Sequence, residues 1–231
     1  IRRRGAGWVQ GDLYIRGGGF DQTLLLIDGM KMDDAQTGHH TLNMILPLYL
    51  IERVEIIKGP AARIFGQNAF NGAINIVTKD LEGEKRTANM KLNELSYGSF
   101  EQKNISLSTK ITAENIKSLI SYSGNRSDGY RHNTDFKRNN YFVKTSFNTN
   151  KSPVNIIASF NENKFGANGF YASPSATEQY EETQASLLGV TTTINSEKLS
   201  ITPRLYWRRG QDEYIYIRDN PSVYRNLHKT N

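Results

Sequence analysis

The sequence predicts a membrane β-barrel, partial and antiparallel, with an N-terminal α+β domain in its lumen. Three observations predict this fold. The chain up to Lys79 combines short apolar segments with glycine turns, which is typical of a compact domain. From Thr87 onward, polar and apolar residues alternate over strands of about 10 residues, the length that a tilted membrane-spanning strand needs. The connections between these strands alternate between short and long, as they do in outer-membrane barrels.

The composition argues against several other classes of protein. The 231 residues carry a formal net charge of +6, but the basic residues cluster only at Arg2, Arg3 and Arg4, so we expect no nucleic-acid partner. Cysteine is absent, which excludes disulfides, thiolate metal sites and a cysteine nucleophile. No apolar run approaches the roughly 18 residues of a membrane-spanning helix, so the sequence does not predict a helical membrane protein.

Four segments before Asp80 each predict a strand followed by a turn: DLYIRG, TLLLIDGM, RVEIIKG and AINIVT. In the second segment, Asp28-Gly29 predicts a tight hairpin because Gly29 can adopt a positive φ. The stretch TLNMILPLYLIE predicts a short helix interrupted at Pro47. After the third strand we expect Gly59 and Pro60 to stop the strand and residues 61–65 to form one or two helical turns, which Gly66 ends in a left-handed cap.

The segments after Thr87 place apolar and polar side chains on opposite faces of each strand. The pattern recurs in KNISLSTKI, YFVKTSF, VNIIASF and LSITPRLYW. In the last of these, Leu205 and Trp207 lie on one face while Arg204 and Arg208 lie on the other. A soluble sandwich shows the same alternation, but its strands average about 5 or 6 residues. The longer strands, with short connections near residues 113, 152 and 196, favour a barrel with its apolar face in lipid.

Two stretches between residues 11 and 79 resemble the plug domain of TonB-dependent outer-membrane receptors: IRGGGFDQTLLLIDGMKMDD and LIERVEIIKGPAARIFGQNAFNGAINIVTK. The chain that follows resembles the first barrel strands of cobalamin, siderophore and haem receptors, including those of Bacteroidetes type. The resemblance implies that residues 1–80 are a plug domain without its N-terminal part. It also implies that residues 84–231 are the first seven to eight strands of a barrel without its C-terminal part.

The resemblance further implies a receptor in the bacterial outer membrane that takes up a scarce chelate or cofactor, such as cobalamin, a siderophore or haem. The implied partners are the small-molecule chelate, outer-membrane lipid, a surface lipoprotein, and the TonB energy-coupling complex, which pulls on a TonB box outside the sequence given. We expect no enzyme activity, because motifs such as G-x-S-x-G and H-E-x-x-H are missing, and no resident cofactor. The alternative is a small outer-membrane barrel that acts as an adhesin or binds a partner protein.

The resemblance places one apical loop of the plug against the external ligand, and its candidate contact residues are Gln36, Thr37, Gly38, His39, His40 and Thr41. The paired histidines suggest a metal or haem-iron site, since imidazole is a common ligand. However, adjacent residues of an extended chain point in opposite directions, and no second set of histidines and carboxylates is spaced to complete a site. We therefore expect ordinary ligand contact or a solvated loop, and no metal.

Two further groups of candidate residues follow from the same reading. In the long loops, aromatic, arginine and histidine side chains suit ligand capture because they provide contact area at a low entropic cost; they are Tyr130, Arg131, His132, Phe170, Tyr171, Tyr224 and His228. Charged residues of the plug are expected to dock on the barrel wall through ion pairs, and these are Arg16, Glu52, Arg53, Glu55 and Lys58. For the last four, the alternative is a strand with one solvated face.

Overall fold

The computed structural model of the protein describes residues 1–5, 9–44, 46–81, 86–148, 152–171 and 173–231, with the backbone alone at Pro60 and Ala61. Within these ranges, no helix is both long enough and apolar enough to cross a membrane. The strands form two main units. One is a small mixed sheet with its flanking segments between Ile1 and Leu81, which we call the N-terminal unit, and the other is an eight-stranded antiparallel sheet, which we call the wall sheet.

Among its described residues, the N-terminal unit contains six short strands and four 3₁₀ helices. Its strands are β1 (Arg2–Arg4), β2 (Gln10–Asp12), β3 (Thr23–Ile27), β4 (Met30–Lys31), β5 (Ile51–Lys58) and β6 (Gly72–Thr78). The 3₁₀ helices span Phe20–Gln22, Gly38–Asn43, Leu48–Leu50 and Gly59–Phe65. The main sheet has the order β4-β3-β6-β5, in which β3 and β6 are parallel and the other pairs are antiparallel.

Three of the four strands predicted in this unit are present as β3, β5 and β6, but the strand predicted over DLYIRG is wrong. Strand β2 ends at Asp12, and the chain turns at Arg16, which adopts a positive φ of 50°. Leu13 and Ile15 are nonetheless buried. The apolar alternation of this segment therefore reflects side chains packed into the core and not pairing with a neighbouring strand.

Glycine is required at two turns that the sequence predicted. Asp28 and Gly29 both have positive φ, 47° and 79°, which is the conformation of a two-residue hairpin that matches the twist of its strands. Gly66 has a φ of 82° and follows the last 3₁₀ helix, where its N–H donates to the carbonyl of Arg63 over 2.8 Å. The predicted hairpin turn at Asp28-Gly29 is confirmed. Gly66 ends the 3₁₀ helix as predicted, but its ψ of −141° lies outside the left-handed helical region that the predicted cap requires.

The wall sheet follows the chain order, with each strand antiparallel to the next. Its strands are β7 (Thr87–Gly98), β8 (Gln102–Thr112), β9 (Ile116–Ser127), β10 (Phe136–Phe147), β11 (Val154–Gly166), β12 (Tyr180–Thr192), β15 (Arg204–Ile215) and β16 (Arg225–Thr230). A small hairpin of β13 (Ile194–Asn195) and β14 (Ser200–Ile201) extends the connection between β12 and β15. The seven strands before β16 are 11 to 13 residues long. They are thus slightly longer than the sequence predicted.

The two ends of the wall sheet differ in their connections. At one end, which we call the loop end, lie residues 128–135, 167–179 and 216–224, together with the short turn at 99–101. At the other end lie the turn at 113–115 and the tip of the small hairpin at 196–199. The turn predicted near residue 152 falls partly on residues outside the described ranges. The described connections therefore keep the predicted difference between the two ends, apart from the short turn after β7.

The two faces of the wall sheet also differ, as the alternation predicted. The face toward the N-terminal unit, the inner face, buries polar side chains from six strands: Ser106, Ser121, Asn140, Asn161, Thr183 and Asp212. The outer face exposes apolar side chains, including Ile120, Val143, Leu188 and Trp207. The sequence thus encodes a sheet whose apolar face points away from the rest of the described chain.

The inner face is not polar throughout. Where it meets the N-terminal unit it contributes Phe142, Ile157, Ala185 and Leu187 to a shared core with Leu25, Ile27, Met30, Met32 and Met44. These wall residues occupy inner positions of their strands beside polar ones. Because YFVKTSF and VNIIASF carry apolar residues on both faces, the alternation alone does not mark which inner positions touch the N-terminal unit. The two units are therefore joined by a dry apolar contact as well as by polar ones.

Candidate functional site

The candidate site lies where the N-terminal unit meets the loop end of the wall sheet. The chain approaches it through a turn in which Asp34 Oδ1 accepts a hydrogen bond from the Gln36 N–H over 3.0 Å. Thr37 then caps the 3₁₀ helix Gly38–Asn43, since its Oγ1 accepts from the His39 N–H over 3.3 Å. Short polar side chains of this kind stabilise turns and helix starts by pairing with the backbone. They fix the position of both histidines.

A cavity of about 340 Å³ opens between this segment and the wall sheet, and we call it the apical cavity. It is lined from the N-terminal unit by Gln10, Gln36, Thr37, His39 and His40, and from the wall sheet and its loops by Tyr171, Glu181, Asp212, Tyr214, Asn226 and His228. Neither unit forms this cavity alone. Any movement of one unit relative to the other would change its shape.

His40 connects the two units within this cavity. It is only 8% exposed, and its Nε2 lies 3.2 Å from Glu181 Oε1 while its Nδ1 lies 3.8 Å from Asp212 Oδ1. Burial disfavours the charged imidazolium, but the hydrogen bond and charge of Glu181 outweigh it, together with the charges of Asp212 and Asp34. The pKa of His40 is therefore raised above its ordinary value of 6.5.

His39 faces a different set of groups. Its Nδ1 lies 2.7 Å from Asp12 Oδ1, and its ring stacks on Phe20 with a centroid distance of 4.0 Å. The two neighbouring histidines therefore contact different carboxylates. Across the described ranges, no three His, Asp or Glu side chains are arranged so that they could hold a metal ion.

The wall side of the cavity extends the hydrogen-bond network from His40. The Tyr171 hydroxyl donates to Glu181 Oε2, and burial followed by the Glu181 charge raises the pKa of Tyr171 well above its ordinary value. His228 Nδ1 lies 3.0 Å from Asp212 Oδ2. Each carboxylate is thus shared by two side chains of the cavity. The network holds Glu181 and Asp212 in fixed positions at the cavity wall.

Gln10 is the side chain whose polar atoms lack partners at this site. It is only 4% exposed, and neither its amide oxygen nor its amide nitrogen has a hydrogen-bond partner among the described residues. Buried amides without partners are rare because each unpaired group costs free energy. Gln10 lines the apical cavity, but its two amide atoms are themselves covered, so a ligand reaches their donors and acceptor only when the side chains over them move.

The predicted ligand-contact residues divide into those that line the apical cavity and those that do not. Gln36, Thr37, His39, His40, Tyr171 and His228 line it. Gly38 and Thr41 line a neighbouring cavity of about 270 Å³. The side chains that line neither cavity are Tyr130, Arg131, His132, Phe170 and Tyr224.

Two of the remaining loop residues connect the loops to each other. Arg131 Nη2 donates to the carbonyl of Asn168 over 3.3 Å. His132 Nε2 lies 2.8 Å from Glu178 Oε1. These contacts join the loop at 128–135 to the loop at 167–179. In this structure they organise the rim above the cavity.

Five residues that line the apical cavity were not predicted from the sequence: Gln10, Glu181, Asp212, Tyr214 and Asn226. Strand β12 begins at Tyr180 and therefore places Glu181 on the inner face. Asp212 lies on the inner face of β15 for the same reason of alternation. Extending the alternation of each strand up to the loop would have identified both carboxylates.

The five residues predicted to dock the plug on the wall lie away from the wall sheet. Arg53 Nη2 is 2.7 Å from Glu55 Oε1, and Glu55 Oε2 accepts from Asn75 Nδ2 over 2.9 Å, all within the N-terminal unit. Arg16, Glu52 and Lys58 are exposed. In the described part of the chain, no hydrogen bond or ion pair joins these five side chains to the wall sheet. Their docking role stays a prediction.

Other polar residues join the two units instead. Arg208 Nη1 lies 2.8 Å from Asp34 Oδ2, and the two side chains are only 8% and 3% exposed. Burial opposes the Asp34 charge, but the Arg208 charge and hydrogen bond outweigh it and lower the pKa of Asp34. Lys144 Nζ donates to Thr78 Oγ1 over 2.9 Å and to the Lys79 carbonyl over 3.1 Å. Both cations lie on the polar faces that the sequence predicted.

Part of the chain is similar to a known protein family. The family model described as TonB-dependent Receptor Plug Domain matches residues 1–73. The chain is 32% identical over 123 residues to the vitamin B12 transporter BtuB of Vibrio vulnificus strain YJ016, covering 52% of this chain and 19% of that protein. It is 38% identical over 74 residues to the iron-regulated outer membrane virulence protein of Vibrio cholerae strain El Tor Inaba N16961, covering 29% and 11%.

Solved structures share the fold. The copper transporter OprC superposes with a TM-score of 0.74 at 15% identity, covering 92% of this chain and 33% of that one. The ferric citrate transporter FecA in its unliganded form superposes with a TM-score of 0.70 at 14% identity, covering 93% and 36%. The chain spans about a fifth or less of the length of the curated relatives it matches and about a third of these structures.

Proposed function

The chain carries a TonB-dependent receptor plug domain packed against part of a β-barrel wall, and from this premise we propose that it acts in the uptake of a scarce chelate or cofactor. The observation that carries the proposal is the apical cavity, which the plug and the loop end of the wall sheet form together. A ligand bound there contacts both units at once. Its binding free energy is thereby linked to the position of the plug.

The chemistry of the cavity favours cobalamin over an anionic ferric siderophore. Among the described residues that line it there are two carboxylates, Glu181 and Asp212, but no lysine or arginine to attract a polyanion. Cobalamin carries peripheral amides, which pair well with carboxylates and with the Gln10 amide. Similarity to the Vibrio vulnificus vitamin B12 transporter supports the same choice. Haem and ferric siderophores are the other members of the proposed class.

The remaining parts of the proposal follow the family. We assign residues 1–80 to the plug and residues 84–231 to the barrel, place the protein in the outer membrane with the loop end outward, and name the TonB complex and a surface lipoprotein as partners. The wall's apolar outer face supports the contact with membrane lipid. The relatives are named as transporters and receptors, which supports a non-enzyme. They lend no support to the alternative of an adhesin.

The test is ligand binding by the whole protein that carries this chain, purified in detergent. We expect cyanocobalamin to bind, and Gln10→Leu to weaken it about tenfold, because two neutral hydrogen bonds to the ligand are lost. The variant keeps its fold since the replaced amide has no partner to lose. Isothermal titration calorimetry with cyanocobalamin, haemin and a ferric siderophore measures the affinities.

The matched control is Gln67→Leu, which makes the same substitution at an exposed position of the plug and leaves the affinity unchanged. If only haemin or only the ferric siderophore bound, the proposal of a receptor for a chelate or cofactor would stand, and the choice of cobalamin as its ligand would be wrong. If the wild-type protein bound none of the three, the proposed function would be wrong.

A further inference from the structure

Four basic residues form one continuous row on the outer face of the wall sheet near its loop end. In the strand register, Lys103 lies opposite Arg126, Arg126 opposite Lys137, and Lys137 opposite Lys164. Adjacent strands are about 4.8 Å apart, so the four cations span roughly 15 Å. The row ends at β12, where Lys164 lies opposite Glu182.

The two central members of this row form no ion pair within the described residues. Arg126 and Lys137 are exposed, whereas Lys103 Nζ lies 2.7 Å from Glu101 Oε2 and Lys164 Nζ lies 2.9 Å from Glu182 Oε2. The charge of Arg126 also acts on Glu101, but Lys103 contacts that carboxylate directly. Like charges directly opposite each other destabilise a sheet. The repulsion between these neighbouring cations therefore destabilises the sheet, and an anion bound at the outer face would offset it.

An apolar groove lies next to the row on the same face. Its volume is about 640 Å³, and its lining includes Leu95, Ile105 and Tyr122 along with Lys103, Arg126 and Lys137. Gly124 contributes to the depression, since a Cβ there would lie 2.6 Å from the Tyr122 hydroxyl. The groove therefore has an apolar floor and a cationic edge.

The basic row lies at a constant separation along the strands from a row of aromatic side chains on the outer face. Tyr122, Tyr141 and Phe160 are adjacent in the register, and their rings are 5.2 and 6.2 Å apart in sequence order. Each lies four residues from the basic row on its strand, which is about 14 Å along the strand and roughly 10 Å along the membrane normal at a tilt near 45°. Aromatic girdles mark the membrane interface, so the row lies at headgroup height.

We propose that the basic row and the apolar groove bind a phosphorylated lipid of the outer leaflet. The phosphate lies against Arg126 and Lys137, with Lys103 and Lys164 at the flanks, and an acyl chain occupies the groove below. Arginine and lysine recognise phosphate through charge-assisted hydrogen bonds. The inference rests on the outer-membrane placement proposed above, but it concerns the lipid-facing surface and not the apical cavity.

The test uses the whole protein in detergent with added diphosphorylated lipid A, and native mass spectrometry counts the bound lipid. We expect the triple variant Lys103→Gln, Arg126→Gln and Lys137→Gln to weaken binding about a hundredfold, because each cation near an anionic lipid surface contributes about fivefold in affinity. We expect dephosphorylated lipid A to bind to the wild-type protein about as weakly as diphosphorylated lipid A binds to the triple variant. Inorganic phosphate alone is expected not to compete at millimolar concentration, because it lacks the acyl chain.

The matched control removes three positive charges at the opposite end of the sheet through Arg86→Gln, Lys117→Gln and Lys198→Gln, and it keeps wild-type binding. Circular dichroism confirms that both triple variants contain the wild-type strand content. Equal binding of phosphorylated and dephosphorylated lipid, or equal binding by the two triple variants, would overturn the proposal. Protein found outside the outer-membrane fraction of cells would instead contradict the placement on which it rests.

Discussion

Two strands of the same plug sheet, β3 and β5, have opposite environments. All five residues of β3 are buried, whereas β5 exposes Val54 and Ile56 by 51% and 54%. Strand β3 pairs with both β4 and β6, whereas β5 lies at the edge of the sheet and pairs with β6 alone. Leu25 and Ile27 of β3 pack in the core shared with the wall sheet, and Leu24 and Leu26 pack in a second cluster within the N-terminal unit. In the described part of the chain, β3 therefore has neighbours on both edges and both faces, which β5 lacks.

The β3 side gains its contacts through the hairpin that follows it. Met30 and Met32 extend from this hairpin into the core shared with Phe142 and Leu187. Strand β5 lies at the opposite edge of the sheet order. We therefore expect substitutions at the β3 side to loosen the plug and equivalent substitutions at the β5 side to have little effect.

The largest effect is expected from Phe142→Ala in the shared core. Phe142 is only 1% exposed, and removing a buried aromatic ring leaves a cavity that costs about 3 to 5 kcal/mol. Hydrogen exchange of the β3 and β6 amides in the whole protein should report a loss of this size in the free energy of opening. Val54→Ala on β5, which the part of the wall sheet in this chain does not cover, is the control, and we expect it to cost less than Phe142→Ala because it removes a smaller side chain. Equal effects of the two variants would refute the comparison.

A somewhat smaller effect is expected from Asp34→Ala, which leaves Arg208 buried without its carboxylate. Removing one partner of a buried ion pair costs about 3 kcal/mol, because the remaining charge is uncompensated. The same hydrogen-exchange measurement applies. The double variant Asp34→Leu with Arg208→Met should recover most of the loss, since it removes both charges. A double variant as unstable as the single one would show that the pair is not the cause.

The smallest effect is a pH dependence at the apical cavity. The folded-state pKa of His40 is raised above 6.5, so its stabilisation is complete below about pH 6.5 and is lost as the pH rises through the folded value. The groups that face it are Glu181, Asp212 and Asp34. Exchange of the 38–43 amides, corrected for intrinsic rates, should show easier opening at pH 8.5 than at pH 5.5.

Two variants sharpen this pH experiment. His40→Gln removes the titrating group and should flatten the profile. His132→Gln replaces an exposed histidine, paired with Glu178 in the loops, and should leave the profile of residues 38–43 unchanged. An unchanged profile in His40→Gln would assign the pH dependence to another group.

The fold was predictable where one local rule decides the structure. Asp28-Gly29 permits a tight hairpin and little else, and the period-two alternation determined both faces of the wall sheet. The strand predicted over DLYIRG failed because Leu13 and Ile15 pack into the core without pairing, and an apolar alternation looks the same in both cases.

The candidate site was less predictable than the fold. His40 was a candidate because the family resemblance places its loop at the apex of the plug. Its partners Glu181 and Asp212 lie far along the chain, on two different strands of the wall sheet. These contacts depend on how the plug is positioned against the wall sheet, and no local sequence pattern determines that position. The unpartnered amide of Gln10 is likewise a property of its packed surroundings and not of its neighbours in sequence.

Lys144 holds the point at which the chain leaves the plug, through the Thr78 hydroxyl and the Lys79 carbonyl. This contact turns the last plug strand into a pivot with a fixed axis next to β10. A movement of the N-terminal unit that leaves this contact intact is a rotation about the backbone at Thr78 and Lys79, and not a withdrawal of the whole unit.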